Sequence, residues 1–420
     1  MAYQAGTATV DGAGNTITDP GVSGDGTAAP QTLNWNLTDA TADIDVAEGA
    51  TVTITYDVIV LDSVLANQAL TNSAVAQWTG LDGIDVNERT GTGTPAVNDY
   101  FTAPVTTTLT TPDSTVLAKA RLTDTYGAAD VNVRIGDIVE YELRASLQEG
   151  RYSNLVLTDA LPQGMAFEGV VQINGDTTSP YNAASPFIHA DLAPPLVTGN
   201  PVTGPSTVTF SVGEVTNVSD NNAANDEFVI VYRVRLLDNV FAQVNSTTLN
   251  NNAQLSYDSG GGPVSLADTT SITLLQPMLT VAKSALAAGG DTVIEANELV
   301  TYTVDVTNGG TTPAYDLLLQ DTLPMGMRNG AATITMISTT LVGAGTALLN
   351  PVPTYNAATG LASWNLDSGV ANAYTIPVNE TLRLVYQVQA DADLGAGRTL
   401  TNAAVASRYY SFDDEAAPTL

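Results

Sequence analysis

The sequence predicts an all-β chain built from tandem antiparallel β-sandwich repeats that form an elongated rod. Three observations predict it. Apolar and polar residues alternate through many short stretches, the period of a half-buried strand. Clusters of Gly, Pro, Asn and Asp separate these stretches, and no amphipathic helix of ordinary length is evident. The chain also repeats itself: Asp159-Ala160-Leu161-Pro162-Gln163-Gly164-Met165 returns as Asp321-Thr322-Leu323-Pro324-Met325-Gly326-Met327.

Taken in order, the alternating stretches are Thr51 to Val60, Val131 to Leu143, Phe228 to Leu237, Leu299 to Val306 and Leu382 to Val388. Three of them align across the repeats at Tyr56, Tyr232 and Tyr386. A later strand follows each: Leu70-Thr71-Asn72-Ser73-Ala74, Leu249-Asn250-Asn251-Asn252-Ala253 and Leu400-Thr401-Asn402-Ala403-Ala404. Trp35-Asn36-Leu37 recurs as Trp364-Asn365-Leu366, with Phe210-Ser211-Val212 between them. Thr-rich strands close the first two repeats at Val105 to Thr111 and Thr269 to Leu275.

Met1-Ala2-Tyr3 matches Met165-Ala166-Phe167, so repeat one lacks the first third that the others carry. The predicted division is 1–112 for a partial sandwich, 113–276 for a second repeat, and 277–420 for a third without its last strand. That reads as a window on a longer array. The alternative is strand donation by a neighbouring molecule. Short linkers at Thr111-Pro112-Asp113 and Leu275-Gln276-Pro277 predict stiff stacking.

Composition narrows the function. A net charge of −31 sets nucleic acid and anionic lipid aside as partners. With 44% hydrophobic residues the chain has material for real cores, yet no run approaches the roughly 20 apolar residues of a membrane span. The loop-rich composition looks extracellular, but there is no cysteine to form disulfides. Robustness then needs another source. No leader, anchor or sorting tail is expected within this sequence.

Lys119 and Lys283 are the only lysines, and they sit at equivalent places in repeats two and three. Residues two apart share a strand face. Lys119 thus follows Leu117, and Lys283 follows Leu279 and Val281. Asp159 shares its face with Leu155, Leu157 and Leu161; Asp321 shares its face with Leu317, Leu319 and Leu323. Asn251 lies with Leu249, Ala253 and Leu255, and Asn402 with Leu400, Ala404 and Ala406.

An unpaired amine, carboxyl or amide in a core costs several kcal/mol each, so these groups are expected to meet. Desolvation drives the lysine towards its neutral nucleophilic form and the acid towards its protonated form. The acid would polarise the asparagine carbonyl, the amine would attack, and ammonia would leave. Lys119–Asn251 and Lys283–Asn402 isopeptide bonds would result, with Asp159 and Asp321 as the acids. The plainer reading is a buried Lys–Asp ion pair with a hydrogen-bonded Asn. It explains less well why lysine stands here when the remaining bases are arginine, the better static partner. Asn72 is an equivalent with no lysine in its own repeat.

Lys119 or Lys283, then Gly136-Asp137-Ile138-Val139-Glu140-Tyr141 or Asn297-Glu298-Leu299-Val300-Thr301-Tyr302, then Val304-Asp305-Val306-Thr307-Asn308 and the Asp-x-Leu-Pro-x-Gly turn, resemble the DUF-eleven repeat of bacterial and archaeal surface proteins. The order Lys, Asp, Asn also resembles the collagen-adhesin A-type domain of Gram-positive pilins. The resemblance implies an Ig-like sandwich in which Lys119, Asp159 and Asn251, and Lys283, Asp321 and Asn402, make the bond. It covers nearly all of repeats two and three and the last two-thirds of repeat one. Repeat two departs at Arg144-Ala145-Ser146, where the family has Thr-Asn.

The remaining candidates have plainer readings. Asp137 and Glu298 are expected in solvated turns. Leu161-Pro162-Gln163-Gly164 resembles a sortase signal only superficially, and His189, the lone histidine, is expected to be structural. No cofactor is expected. Ca²⁺ at Asp220 with Asp226, or at Asp413 with Asp414, is a weak possibility that lacks a full calcium-loop pattern. Four Asn-x-Ser/Thr sequons begin at Asn36, Asn217, Asn245 and Asn379.

The functional expectation is a structural, non-enzymatic segment of a cell-surface stalk, adhesin or filament, partnered by neighbouring repeats or subunits of the same protein. The alternative is a module binding a glycan or protein on another cell, for which Tyr409, Tyr410 and Phe412 are the candidate residues.

Overall fold

The computed structural model describes residues 1–11, 17–35, 44, 46–80, 100–124, 132–178, 186–237, 246–328, 334–366 and 374–411. Among them every regular element is a strand. No helix is long and apolar enough to cross a membrane.

Repeat one contributes ten strands: β1 (Ala2–Tyr3), β2 (Thr9–Asp11), β3 (Gly21–Ser23), β4 (Thr32–Asn34), β5 (Thr53–Thr55), β6 (Val58–Ile59), β7 (Ala69–Ala74), β8 (Gln77–Trp78), β9 (Tyr100–Phe101) and β10 (Val105–Thr110). They pair only two by two. The single strand expected over Thr51 to Val60 is divided at Tyr56 and Asp57.

Repeat two is a complete sandwich. Its strands are β11 (Val116–Asp124), β12 (Asn132–Val133), β13 (Ile138–Ser146), β14 (Gly150–Leu161), β15 (Met165–Ile173), β16 (Phe187–His189), β17 (Leu196–Gly199), β18 (Ser206–Asn217), β19 (Glu227–Leu236), β20 (Ser246–Ser259) and β21 (Gly262–Leu275). One sheet runs β11-β13-β19-β15; the facing sheet runs β12-β21-β20-β14-β18-β16, with β17 also on β18.

The strand expected over Val131 to Leu143 is two strands in different sheets. Val133 pairs in parallel with Leu274 of β21. The chain turns at Arg134–Asp137, where the Arg134 amide donates to Asp137, and only then enters β13. Asp137 is therefore buried, not solvated. Glu298 is likewise engaged: its carboxylate accepts from the Gly289 and Glu295 amides and closes that loop.

Repeat three comprises β22 (Leu279–Ala287), β23 (Leu299–Asn308), β24 (Tyr315–Thr322), β25 (Thr335–Leu341), β26 (Thr346–Leu348), β27 (Thr354–Asn356), β28 (Leu361–Asn365), β29 (Thr381–Gln389) and β30 (Ala403–Tyr410). Its sheets are β22-β23-β29-β25-β26 and β27-β28-β24-β30.

Alternation builds both cores. In β14, Leu155, Leu157 and Leu161 are buried, and in β29 Leu382, Leu384, Tyr386 and Val388 are buried. The outward faces carry cross-strand ion pairs at matching register: Glu140 opposite Arg233, and Asp305 opposite Arg383 in a two-pronged pair. Half-exposed pairs of this kind contribute about 0.2–1 kcal/mol each.

An asparagine locks each sandwich end. In repeat three the Asn308 amide donates to the carbonyls of Thr312 (2.9 Å) and Ile376 (3.0 Å), and its oxygen accepts from the Met278 and Gly310 amides. Repeat two has Ser146-Leu147 where repeat three has Thr307-Asn308, and a residue from another strand does the work. The Asn217 amide donates to the Leu147 carbonyl and to Asp226, both at 2.8 Å.

Replacing Asn308 by Ala orphans two buried carbonyls and two amides. The Asn308→Ala chain is expected to lose about 1–3 kcal/mol in repeat three. Urea unfolding followed by Trp364 fluorescence checks it, because Trp364 is fully buried in that core alone.

Candidate functional site

Lysine, aspartate and asparagine converge between the sheets in both lysine-bearing repeats. Lys119 reaches inward from β11, the edge of the first sheet. Asp159 stands on β14 and Asn251 on the neighbouring β20 of the facing sheet. Asp159 opposes Ala253, which puts Asn251 one diagonal step away on the same face. Asp321 opposes Ala404 in the same way, with Asn402 two residues earlier. The offset is thus the same in both repeats, although Asn402 lies just before its strand rather than within it.

The contacts are close. The Lys119 ammonium donates to Asp159 with both side chains fully buried. The Lys283 ammonium donates to Asp321 and, at 3.1 Å, to the Tyr386 hydroxyl, with its side chain 12% exposed. Burial pulls Lys119 down to about 8, against the opposing pull of Asp159. Burial also lowers Lys283. The edge strand β11 is pinned by its own backbone, for the Lys119 amide donates to Asp268 on β21 at 2.7 Å.

Tyrosines frame each site. Tyr232 of β19 donates its hydroxyl to the second oxygen of Asp159, and Tyr386 of β29 donates to Asp321. Tyr141 stacks on Tyr232 at 5.9 Å, and Tyr302 on Tyr386 at 5.4 Å. The lysine nitrogens lie over the Tyr141 ring at 5.2 Å and the Tyr302 ring at 4.5 Å, which stabilises positive charge until it is removed. Desolvation first, and the nearby aspartate second, hold the Tyr232 and Tyr386 hydroxyls well above the ordinary phenol range, so they stay protonated donors. These tyrosines were not singled out from the sequence as part of the site. Their recurrence at aligned positions was the available signal.

The asparagines complete the arrangement. Asn251 is fully buried beside the Tyr141 and Tyr232 hydroxyls, and Asn402 lies beside those of Tyr302 and Tyr386. Each carboxamide approaches those hydroxyls closely enough to lower their pKa against the larger upward pull of burial, but neither its oxygen nor its nitrogen makes a well-formed hydrogen bond. An orphaned buried amide costs about 1–3 kcal/mol.

Asn72 stands apart. It is exposed, and its amide donates to the Tyr56 hydroxyl at 3.1 Å.

Other candidates resolve otherwise. Asp220 accepts from Asn222 and Asn225, and Asp226 from Asn217, so both serve a turn. Asp413, Asp414 and Phe412 lie outside the described residues. Among the described residues no group of three or more histidine, aspartate or glutamate side chains is placed to hold a metal. His189 packs edge-on against Phe228. Tyr409 packs against the core of repeat three, while Tyr410 is exposed beside Arg408.

Neither a protein-family model nor a curated protein matches the chain. Among solved structures it is similar to the C-terminal domain of the Streptococcus agalactiae antigen I/II polypeptide BspA, at 13% identity. That match covers 69% of this chain and 94% of that one, with a TM-score of 0.36. The C-terminal domain of Streptococcus pyogenes AspA, of the antigen I/II family, matches at 12% identity over 70% of this chain and 95% of that one, TM-score 0.37. The T6 backbone pilin of Streptococcus pyogenes matches at 10% identity over 70% and 67%, TM-score 0.28. Likenesses this distant decide nothing about function, and the reading rests on the chain's own geometry.

The lowered Lys119 makes a chain in which that lysine stays a free amine sensitive to pH. In Asn251→Ala the lysine stays buried and cannot react. Between pH 8 and 10 the unfolded lysine holds a proton that the folded one has given up, so stability rises with pH. Above about pH 10 unfolded tyrosines ionise while the buried ones do not, and the trend reverses. Thermal melts across this range check the sign.

Proposed function

We propose that the chain is a structural, non-enzymatic segment of an extracellular surface stalk, adhesin or filament, and that repeats two and three each close one intramolecular isopeptide bond. The lysine ammonium passes a proton to the aspartate carboxylate across their hydrogen bond. The neutral amine attacks the asparagine Cγ while the protonated acid donates to the carbonyl oxygen. Attack forms the new C–N bond; collapse of the adduct restores the carbonyl, breaks the old C–N bond and returns the oxygen's proton to the aspartate. The departing nitrogen takes the proton that the attacking amine sheds, and ammonia leaves. Each aspartate thus acts as a proton shuttle and ends as the neutral acid, holding the proton that the lysine ammonium brought.

The observation that carries this reading is the pair of buried carboxamides with no well-formed hydrogen bond, each against the tyrosine over which the lysine lies, with burial lowering that lysine's affinity for its proton. Bond formation removes the buried charge and consumes the orphaned amide at once. The motif resemblance to DUF-eleven repeats and collagen-adhesin A-type domains adds support, because the same three residue types stand in the same order. The surface role rests on that resemblance together with the tandem repeats, the cysteine-free composition and the acidic charge.

Intact mass of the denatured chain with peptide mapping tests the reading. The expected result is loss of two ammonia molecules, with linked peptides joining Lys119 to Asn251 and Lys283 to Asn402. A full mass with no linked peptide overturns it. The loops closed span 251 − 119 = 132 and 402 − 283 = 119 positions. By the entropy of loop closure, losing either bond is expected to cost about 5 kcal/mol. Lys119→Arg or Lys283→Arg should therefore lower the melting temperature of its own repeat and abolish one ammonia loss.

Tyr232→Phe leaves the three reacting residues in place but frees the Asp159 carboxyl to rotate. It is expected to slow the first bond about tenfold, the value of one lost hydrogen bond. Repeat three in the same molecule is the control, read as linked fraction against time after synthesis.

A further inference from the structure

The sheet β11-β13-β19-β15 of repeat two carries a groove on its outer face, away from the lysine site. Its volume is about 340 Å³, within the range of small-molecule sites. Glu142, Arg144 and Glu227 line it from β13 and β19, where they alternate with buried residues and so face outward. Gln172 joins them from β15, and the connections after β15 and β18 add Asn174 and Asn225.

Two half-used amides give the groove its chemistry. The Asn174 oxygen accepts from the Val229 amide at 2.6 Å, while its nitrogen has no partner. The Asn225 nitrogen donates to Asp220 at 2.8 Å, while its oxygen has no partner. One buried donor and one buried acceptor are thus left over, and leaving either unmet is costly. Arg144 donates to Glu142 at 3.0 Å and to Glu227. One arginine against two glutamates gives the lining a single negative charge, on a chain of net charge −31.

Repeat three is built otherwise at the same positions. Thr303 and Ser338 oppose Val385 as Glu142 and Gln172 oppose Val231. Asp305 stands in the place of Arg144 and pairs with Arg383, and the Thr307 and Thr381 hydroxyls meet at 2.9 Å. Those polar groups satisfy one another across the strands.

The geometry points to a binding site for a neutral saccharide on the outer face of repeat two. A sugar hydroxyl donates and accepts at one atom, so it can meet the spare amide donor, the spare amide acceptor and the two carboxylates. Phe187 and Val229 supply apolar atoms for the ring C–H groups. The charge balance opposes an acidic sugar or a phosphate, and the Arg144 guanidinium opposes a metal ion. A peptide added as a strand finds no open edge here, because β19 is already paired on both sides by β13 and β15. The site does not depend on the isopeptide reading.

Saturation-transfer difference NMR on the full chain tests it. Mannose, galactose and N-acetylglucosamine are the neutral probes, and glucuronic acid is the acidic one. At least one neutral probe is expected to bind with a millimolar Kd, more tightly than glucuronic acid. Asn174→Asp removes only the spare donor: it keeps the acceptor for Val229 and suits the left-handed backbone at φ 44°. It is expected to weaken binding about tenfold. Asn225→Ala should do the same at the acceptor. Thr340→Ala, at the Asn174 position of repeat three, should leave the affinity unchanged.

No binding by any neutral probe overturns the proposal, as does equal or tighter binding of glucuronic acid. Binding that survives both asparagine changes, or that falls equally with Thr340→Ala, also overturns it. Should an asparagine variant fail to fold, Gln172→Ala decides in its place, and unchanged binding there counts against the site. Melting temperature and linked mass are read on every variant. The lysine site lies between the sheets and the groove outside them, so cross-linking and sugar binding can fail separately.

Discussion

The contact between a buried lysine and a buried aspartate is the constraint on which repeats two and three depend. Charges of this kind are costly to bury and are tolerated only when paired and held. Everything around the pair can be understood as meeting that condition. β11 brings the lysine to the sheet edge, Asp268 pins its backbone, and β14 places the aspartate at the centre of the facing sheet. Tyr232 then holds the Asp159 oxygen that the lysine does not use, while Tyr386 donates to the same Asp321 oxygen that Lys283 does. The two sheets could pack with aliphatic residues alone. What the polar cluster adds is one specified registration of the sheets and a site where an amide can react.

Much of the fold was legible because alternation is a strong signal where one face is buried. β19, β23 and β29 fall within a few residues of the alternating stretches. The signal failed at Val131 to Leu143, where two strands of different sheets share one apparent run. The break there is made by Asp137 capping a turn with its buried carboxylate, and period-two reasoning cannot distinguish that residue from an outward-facing polar one. It also missed how β5 and β6 divide, since Tyr56 and Asp57 continue the pattern without pairing.

For the site, lysine scarcity and strand parity pointed to three residue types, and the structure brings them together in repeats two and three. The tyrosines were harder to read. A recurrent tyrosine on an apolar face is satisfied by core packing, and nothing in a sequence says that its hydroxyl meets a carboxyl on the opposite sheet. The exchange of Asn308 for Asn217 was illegible for a related reason. The two residues come from different strands and converge only in space.

The burial of both lysines also decides how the molecule meets reagents. With Lys119 enclosed and Lys283 nearly so, the described surface offers no freely accessible side-chain amine. Reducing sugars, aldehydes and other carbonyl compounds that modify proteins through lysine find almost nothing to condense with. Proteases that cut after lysine meet only two sites, both inside folded sandwiches. A surface exposed for long periods would thereby keep its acidic, hydrated character, because the residue type most prone to slow adduct formation has been withdrawn from it.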